Sequence, residues 1–305
     1  MQAAVGGQAV SGGRSAGLVK LVGGCAWRAV VCAMAYVVGS VAAGGLGSAL
    51  GLSMPKLPGN VSQEEMGQLM LPASLVLVAG LAPLARFIGG GYVARWLSLA
   101  ALACIALGVN TAIEASVFTA YGGFAGMLSL NLPPVVACTA TIAGLFRPAV
   151  GGAAPAGLRG LFSARAAGQW VWRVPLAWLA FPAAYYVFGT LLMAVRLDFL
   201  AHYQSGDYGL RVPSAAVVLQ LQLARSALFL ASVLPALALW TGSRRGLVGA
   251  LGLAQWVTVG LFGMVMGAWL PAEMRIGHGL EIGADSFAYS CALVGLLVPR
   301  KGRRG

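Results

Sequence analysis

Eight apolar stretches, each close to the length of a bilayer-crossing helix, occupy most of this chain, and no other property restricts its folding as tightly. A helix rises 1.5 Å per residue, so about 20 apolar residues cover the roughly 30 Å of hydrocarbon in a membrane. The stretches are residues 29–51, 69–89, 95–119, 123–145, 174–195, 214–240, 246–270 and 276–298, separated by short breaks carrying Gly, Pro and Arg. Of 305 residues, 59% are hydrophobic and 9% charged, whereas a soluble domain carries about 25% charged residues and has too little interior to hide so much apolar surface. The sequence therefore predicts an all-α, polytopic integral membrane bundle of about eight transmembrane helices and excludes one soluble domain. Residues 1–26, rich in Gly, Ala and Ser with Arg14 and Lys20, are expected to be a flexible leader. Residues 27–299 form a single eight-helix membrane domain, and 300–305 a basic tail.

Basic residues set the expected orientation. With the N-terminus inside, the cytoplasmic segments hold 15 of the 20, from Arg14, Lys20 and Arg28 to the tail residues Arg300, Lys301, Arg303 and Arg304. The opposite loops hold Lys56, Arg196, Arg211 and Arg275, and Arg225 falls inside a span. This is the positive-inside pattern, and it predicts a cytoplasmic (inner) membrane protein with both termini cytoplasmic. The net charge of +12 is thereby a topological feature, and with no aromatic-interleaved basic stretch no nucleic-acid partner is expected. All eight acids (Glu64, Glu65, Glu114, Asp198, Asp207, Glu273, Glu281 and Asp285) fall in outer loops or the outer half of a span, so a polar site would open outward.

Smaller signals add detail. The five cysteines contain no CxxC pair and read as small buried hydrophobes. Gly47 with Gly51, and Gly263 with Gly267, have the GxxxG spacing that brings membrane helices close. Ala79 and Pro83 before Gly90 recur as Ala231 and Pro235 before Gly242, 152 residues on. So few matches do not establish a repeat, but a four-plus-four repeat would favour a transporter.

Charged side chains at membrane depth cost about 2.5 to 3.5 kcal/mol each on insertion scales and persist where they pair, line water or carry function. Asn110 and Glu114 are four residues apart on one helix face; Gln222, Arg225 and Ser226 share another; His278, Glu281 and Asp285 form a stripe at i, i+3 and i+7. Depths counted along the spans bring Asn110, Arg225 and Asp285 to a similar level. Arg225 is expected to pair with Asp285, Glu281 or Glu114, and the candidate ligand-binding set is Asn110, Glu114, Gln222, Arg225, His278, Glu281 and Asp285. The loop 196–213, with His202, Tyr203 and Tyr208, could cap it.

Three functional classes use such a cluster. The first is a permease or membrane-embedded binding protein for a small polar or amphipathic ligand, Arg225 fixing an anionic group and the acids providing counter-charge or proton coupling. The second is a membrane-embedded hydrolase acting on lipid or peptide, with His278 and the acids as general acid and base or as metal ligands. There is no HExxH and His202 is the only other histidine, so no metal and no cofactor are expected. The third is a non-catalytic subunit whose cluster is a clamp. Membrane lipid is the certain surrounding. Direct ATP drive would require a partner subunit, because GxxxxGK[ST] is absent.

Overall fold

The computed structural model describes residues 11–52, 61–120, 123–148, 157–196 and 198–299. Its helices are α1 (Ser11–Ala49), α2 (Gln63–Ala85), α3 (Tyr92–Phe118), α4 (Phe124–Leu145), α5 (Gly157–Ser163), α6 (Ala167–Val195), α7 (Asp198–Gln204), α8 (Ala215–Leu239), α9 (Arg244–Met266) and α10 (Ala272–Leu297). Eight of them are long and apolar enough to cross a membrane, the first over Gly23–Ala49. The architecture is an all-α polytopic bundle. Its helices are apolar all round, because the outer face meets hydrocarbon and the inner face meets other helices. Val195, Val171 and Val41 stand 79%, 76% and 72% exposed, while Leu77, Leu81, Leu99, Ile142, Leu247 and Leu251 are fully enclosed.

The second half repeats the first. Ser62 caps α2 and Ser214, 152 residues later, caps α8, each through its hydroxyl. Tyr92 opens α3 and Arg244 opens α9 at the same offset. Both of these helices widen into a π turn at matching places, Cys104–Val109 and Val257–Leu261. Packing repeats too: α1 lies on α4 and α2 as α6 lies on α10 and α8, and α3 packs on α4 as α9 packs on α10. Across the halves, α2 meets α9 and α3 meets α8.

The two halves join through a pair of backbone hydrogen bonds that exchange under this correspondence. Gly89 N–H donates to the Leu239 carbonyl at 2.8 Å and Thr241 N–H to the Phe87 carbonyl at 2.9 Å. Ile88 and Trp240, again 152 apart, form the bridge between them. The Ala79/Pro83 and Ala231/Pro235 match therefore belongs to a real four-plus-four repeat. Gly80 marks how closely the halves approach: a Cβ added there would lie 2.6 Å from Cβ of Val257.

The ends of the bundle differ. One end, the basic face, gathers arginines onto helix C-termini, where free carbonyls and the negative end of the helix dipole attract cations. Arg95 is buried and donates to the carbonyls of Ala143 at 2.5 Å and Phe146 at 3.0 Å at the end of α4. At the matching end of α10, Arg173 donates to Leu296 at 2.6 Å, Arg165 to Val298 at 3.1 Å, and Arg244 to Val294 at 2.8 Å and to Val298. Arg173, assigned by sequence to the connection before its span, thus lies within α6, and Arg95, expected to open its span, lies one turn inside α3.

Other expectations are corrected. Helix α1 starts at Ser11, so residues 11–26 of the expected flexible leader are helical; with no Pro among them, they extend a helix already nucleated by the span. Residues 1–10 and 300–305 lie outside the described residues. Glu64 and Glu65 sit in the first turn of α2, where Glu65 closes a capping box with Ser62. Gly51 and Gly263 have open space around them, so the GxxxG pairs are not the contact points; Gly108 and Gly260, in the two π turns, are, meeting Leu132 and Ile282. Cys32 and Cys138 are buried as expected, but Cys25 and Cys291 are exposed on the outside of apolar helices.

Candidate functional site

Arg225 stands on the third turn of α8 and is 4% exposed. Its side chain leaves the helix toward the N-terminal end, as every helical Cβ does, and so climbs toward the acidic face. There Nη2 meets Oε1 of Glu114 at 2.6 Å. Nε donates to Oδ1 of Asn110 at 2.6 Å, and Nη1 to Oε1 of Gln222 at 3.2 Å. Asn110 and Glu114 come from the turn of α3 that follows its π segment, and Gln222 lies one turn before Arg225 on α8. The π turn rotates Asn110 inward, leaving it 2% exposed. The guanidinium carbon lies over the rings of Phe181 and Phe229, 5.5 and 5.8 Å from their centres.

The pair spans the two halves, α3 from the first and α8 from the second. It is not sealed: the Glu114 side chain is 37% exposed while that of Arg225 is 5% exposed. Of the three carboxylates open to Arg225 in the sequence, Glu114 makes the contact. Asp285, matched to it in depth, does not. Depth counted along a helix axis omits the reach of the arginine side chain, which here carries the charge about a turn outward.

A second group forms on α10. His278 Nδ1 and Glu281 Oε2 are 2.9 Å apart, and His278 Nε2 lies 3.1 Å from the Tyr203 hydroxyl. Tyr203 belongs to α7, so the outer loop does cover this group, with His202 stacked edge-on to Tyr208 further along it. The other oxygen of Glu281 faces Gly189 of α6, where an added Cβ would sit 3.0 Å away. Asp285 lies one turn beyond Glu281 on α10 and is 5% exposed.

Near Arg225 and on α10, polar atoms are enclosed without hydrogen-bond partners: Nδ2 of Asn110, Nε2 of Gln222 and Oδ1 of Asp285. Tyr289 lies one turn beyond Asp285 and its ring is 5.6 Å from Phe181, which in turn carries Arg225. Each enclosed, unsatisfied group costs about 1 to 3 kcal/mol, and native interiors tolerate few. Two of the three donate and the third accepts. The arrangement is suited to a bound group carrying both an anionic and a donor function.

Six of the seven predicted residues thus fall in two groups, Arg225 with Asn110, Glu114 and Gln222, and His278 with Glu281, and Asp285 follows Glu281 by one turn on α10. Among the described residues no three His, Cys, Asp or Glu side chains are placed to hold a metal ion; His278, Glu281, Asp285 and Glu114 do not converge as a ligand set. Sequence reasoning missed Phe181, Phe229 and Tyr289. Tyr289 had a signal, since it continues the stripe of His278, Glu281 and Asp285 by one further turn; the phenylalanines had none among so many apolar neighbours. No family model, curated protein or solved structure matches the chain.

Proposed function

We propose that the chain is a permease or membrane-embedded binding protein of the cytoplasmic membrane for a small polar or amphipathic ligand that carries an anionic group. The observation that carries this reading is the set of unsatisfied polar atoms gathered about a buried arginine whose carboxylate partner is only partly enclosed by the bundle. A clamp would leave no hydrogen-bonding capacity unused, because unused capacity in hydrocarbon is a net cost. Arg225 would hold the anionic group, Asn110 and Gln222 would donate to it, and Asp285 would accept from a cationic or hydroxyl group. The four-plus-four repeat supports translocation, since carriers place their sites where repeated halves meet, and α3 and α8 meet at Arg225. The basic face would then be cytoplasmic and the Glu114 side external.

The test is a thermal-shift screen of the purified protein against amino acids, carboxylates and phosphorylated small molecules, followed by counterflow in proteoliposomes. A ligand that stabilises the wild type, fails to stabilise Arg225→Gln, and exchanges across the vesicle membrane is the expected result. Destabilisation by Arg225→Gln with no ligand found for either protein would leave the clamp as the better account.

One arrangement favours the second class. Glu281, His278 and Tyr203 form a hydrogen-bonded line in which a histidine between a carboxylate and a hydroxyl could shuttle a proton. Hydrolysis of a lipid or peptide ester that is lost in His278→Gln would support an acid–base hydrolase.

A further inference from the structure

At the opposite end of the bundle from Arg225 lies a cavity of about 480 Å³ lined by Arg165, Arg173, Arg244, Gln169 and Gly295, among others. We propose that it binds the phosphate headgroup of an anionic membrane lipid. Three guanidinium groups line it and no carboxylate does; the chain's eight acids all lie elsewhere in the sequence. The helix end against which these arginines rest, the C-terminus of α10, supplies about half a negative charge, which three cations outweigh. Arg173 gives Nη1 to the Leu296 carbonyl. A guanidinium presents five N–H groups in a fixed fork that matches phosphate oxygens.

The start of α6 adds to the site. Its cap, Ala166, provides no side-chain hydrogen bond, and Ala166 and Gln169 of this first turn line the cavity, so the positive end of the dipole of a 29-residue helix lies at its wall.

What lies beside the cavity identifies the source of the phosphate. The outward row of α6 is apolar and bare, with Val171 76%, Trp172 46%, Leu176 48% and Leu179 46% exposed. Acyl chains can follow this row directly away from the cavity. Trp172 stacks under the Arg173 guanidinium at 4.3 Å, and the Trp170 indole N–H donates to the Phe162 carbonyl at 2.9 Å. Phe162 and Leu158 on the short helix α5 are exposed at the same level. Indoles of this kind mark headgroup depth, and basic pockets between transmembrane helices are where anionic headgroups dock. A free phosphate would use the arginines but gain nothing from the row on α6.

The experiment is lipid titration of the purified full-length protein, read by native mass spectrometry and by melting temperature, with phosphatidylglycerol, phosphatidylcholine and inorganic phosphate as separate probes. Phosphatidylglycerol is expected to bind and raise the melting temperature, and the other two are not. The double variant Arg173→Gln with Arg244→Gln should weaken phosphatidylglycerol binding roughly thirty-fold, about five-fold per guanidinium, while Arg245→Gln, an exposed neighbour outside the lining, should leave it unchanged. Equal binding of the two lipids, or an unchanged affinity in the double variant, overturns the proposal. Stabilisation by inorganic phosphate alone overturns the lipid source and leaves a small-anion site. The comparison of the two lipids on the wild type decides even where the double variant does not fold.

Discussion

Arg225 and Glu114 meet at 2.6 Å across the junction of the two halves, one buried and the other 37% exposed. The pair is therefore a link between four-helix units that the bundle does not fully enclose. Removing either partner should not be equivalent. Glu114→Gln leaves a buried guanidinium with Asn110 and Gln222, and should cost about 3 kcal/mol, toward the low end for a broken buried pair because Glu114 is partly solvated. Arg225→Gln leaves an exposed carboxylate that water can solvate and should cost less through charge. The double variant should fall short of the sum of the two by about 1 kcal/mol or more. Reversible unfolding in detergent measures this, and additive losses would show that the pair is not coupled.

Asp285→Asn separates binding from architecture. One carboxylate oxygen of Asp285 is enclosed with no hydrogen bond, so the neutral amide should leave the melting temperature unchanged or raise it. If Asp285 accepts from ligand, the same variant should lose at least about ten-fold in ligand affinity, the equivalent of roughly 1.4 kcal/mol. A fall in stability with ligand affinity intact would assign Asp285 to the framework.

The Gly80 contact tests how the halves fit. Gly80→Ala places a methyl group 2.6 Å from Cβ and 2.7 Å from Cγ2 of Val257 and should cost about 1 to 3 kcal/mol through overpacking. Adding Val257→Ala should recover most of the loss, because it removes the atoms in the way. Failure of the second substitution to rescue the first would show that α2 and α9 do not approach in this register.

Tyr203→Phe removes the hydroxyl 3.1 Å from His278 Nε2 and with it the polar tie between α7 and α10. Global stability should change by about 1 kcal/mol, while amide exchange in 201–206 should speed up more than in the core of α10. Equal protection in the two proteins would show that ring packing of Tyr203 on His278 suffices to hold the loop.

Much of this was legible in the residues themselves. Eight crossings follow from run length alone, because a helix in hydrocarbon must satisfy its own backbone and must be about 20 residues long. The stripe of His278, Glu281 and Asp285, and the faces of Asn110 with Glu114 and Gln222 with Arg225, follow from helical periodicity, which is a property of the local chain. Even the repeat left a trace in Ala79, Pro83 and Gly90 against their counterparts.

Tertiary structure decided what local rules leave open. Which carboxylate meets Arg225 depends on the π turn that rotates Asn110 and Glu114 of α3 and on the outward reach of the arginine, and neither is encoded in helix period. The Ser62/Ser214 caps and the paired hydrogen bonds at Ile88 and Trp240 became evidence of a repeat only once backbone positions could be compared, since few side chains are shared. Arg95, Arg165, Arg173 and Arg244 read only as charges at the cytoplasmic ends of spans until the helix ends they hold were seen beside them. Sequence determines which surfaces must leave water; packing between distant helices determines which polar groups are enclosed together, because burial and partnership are properties of the whole bundle.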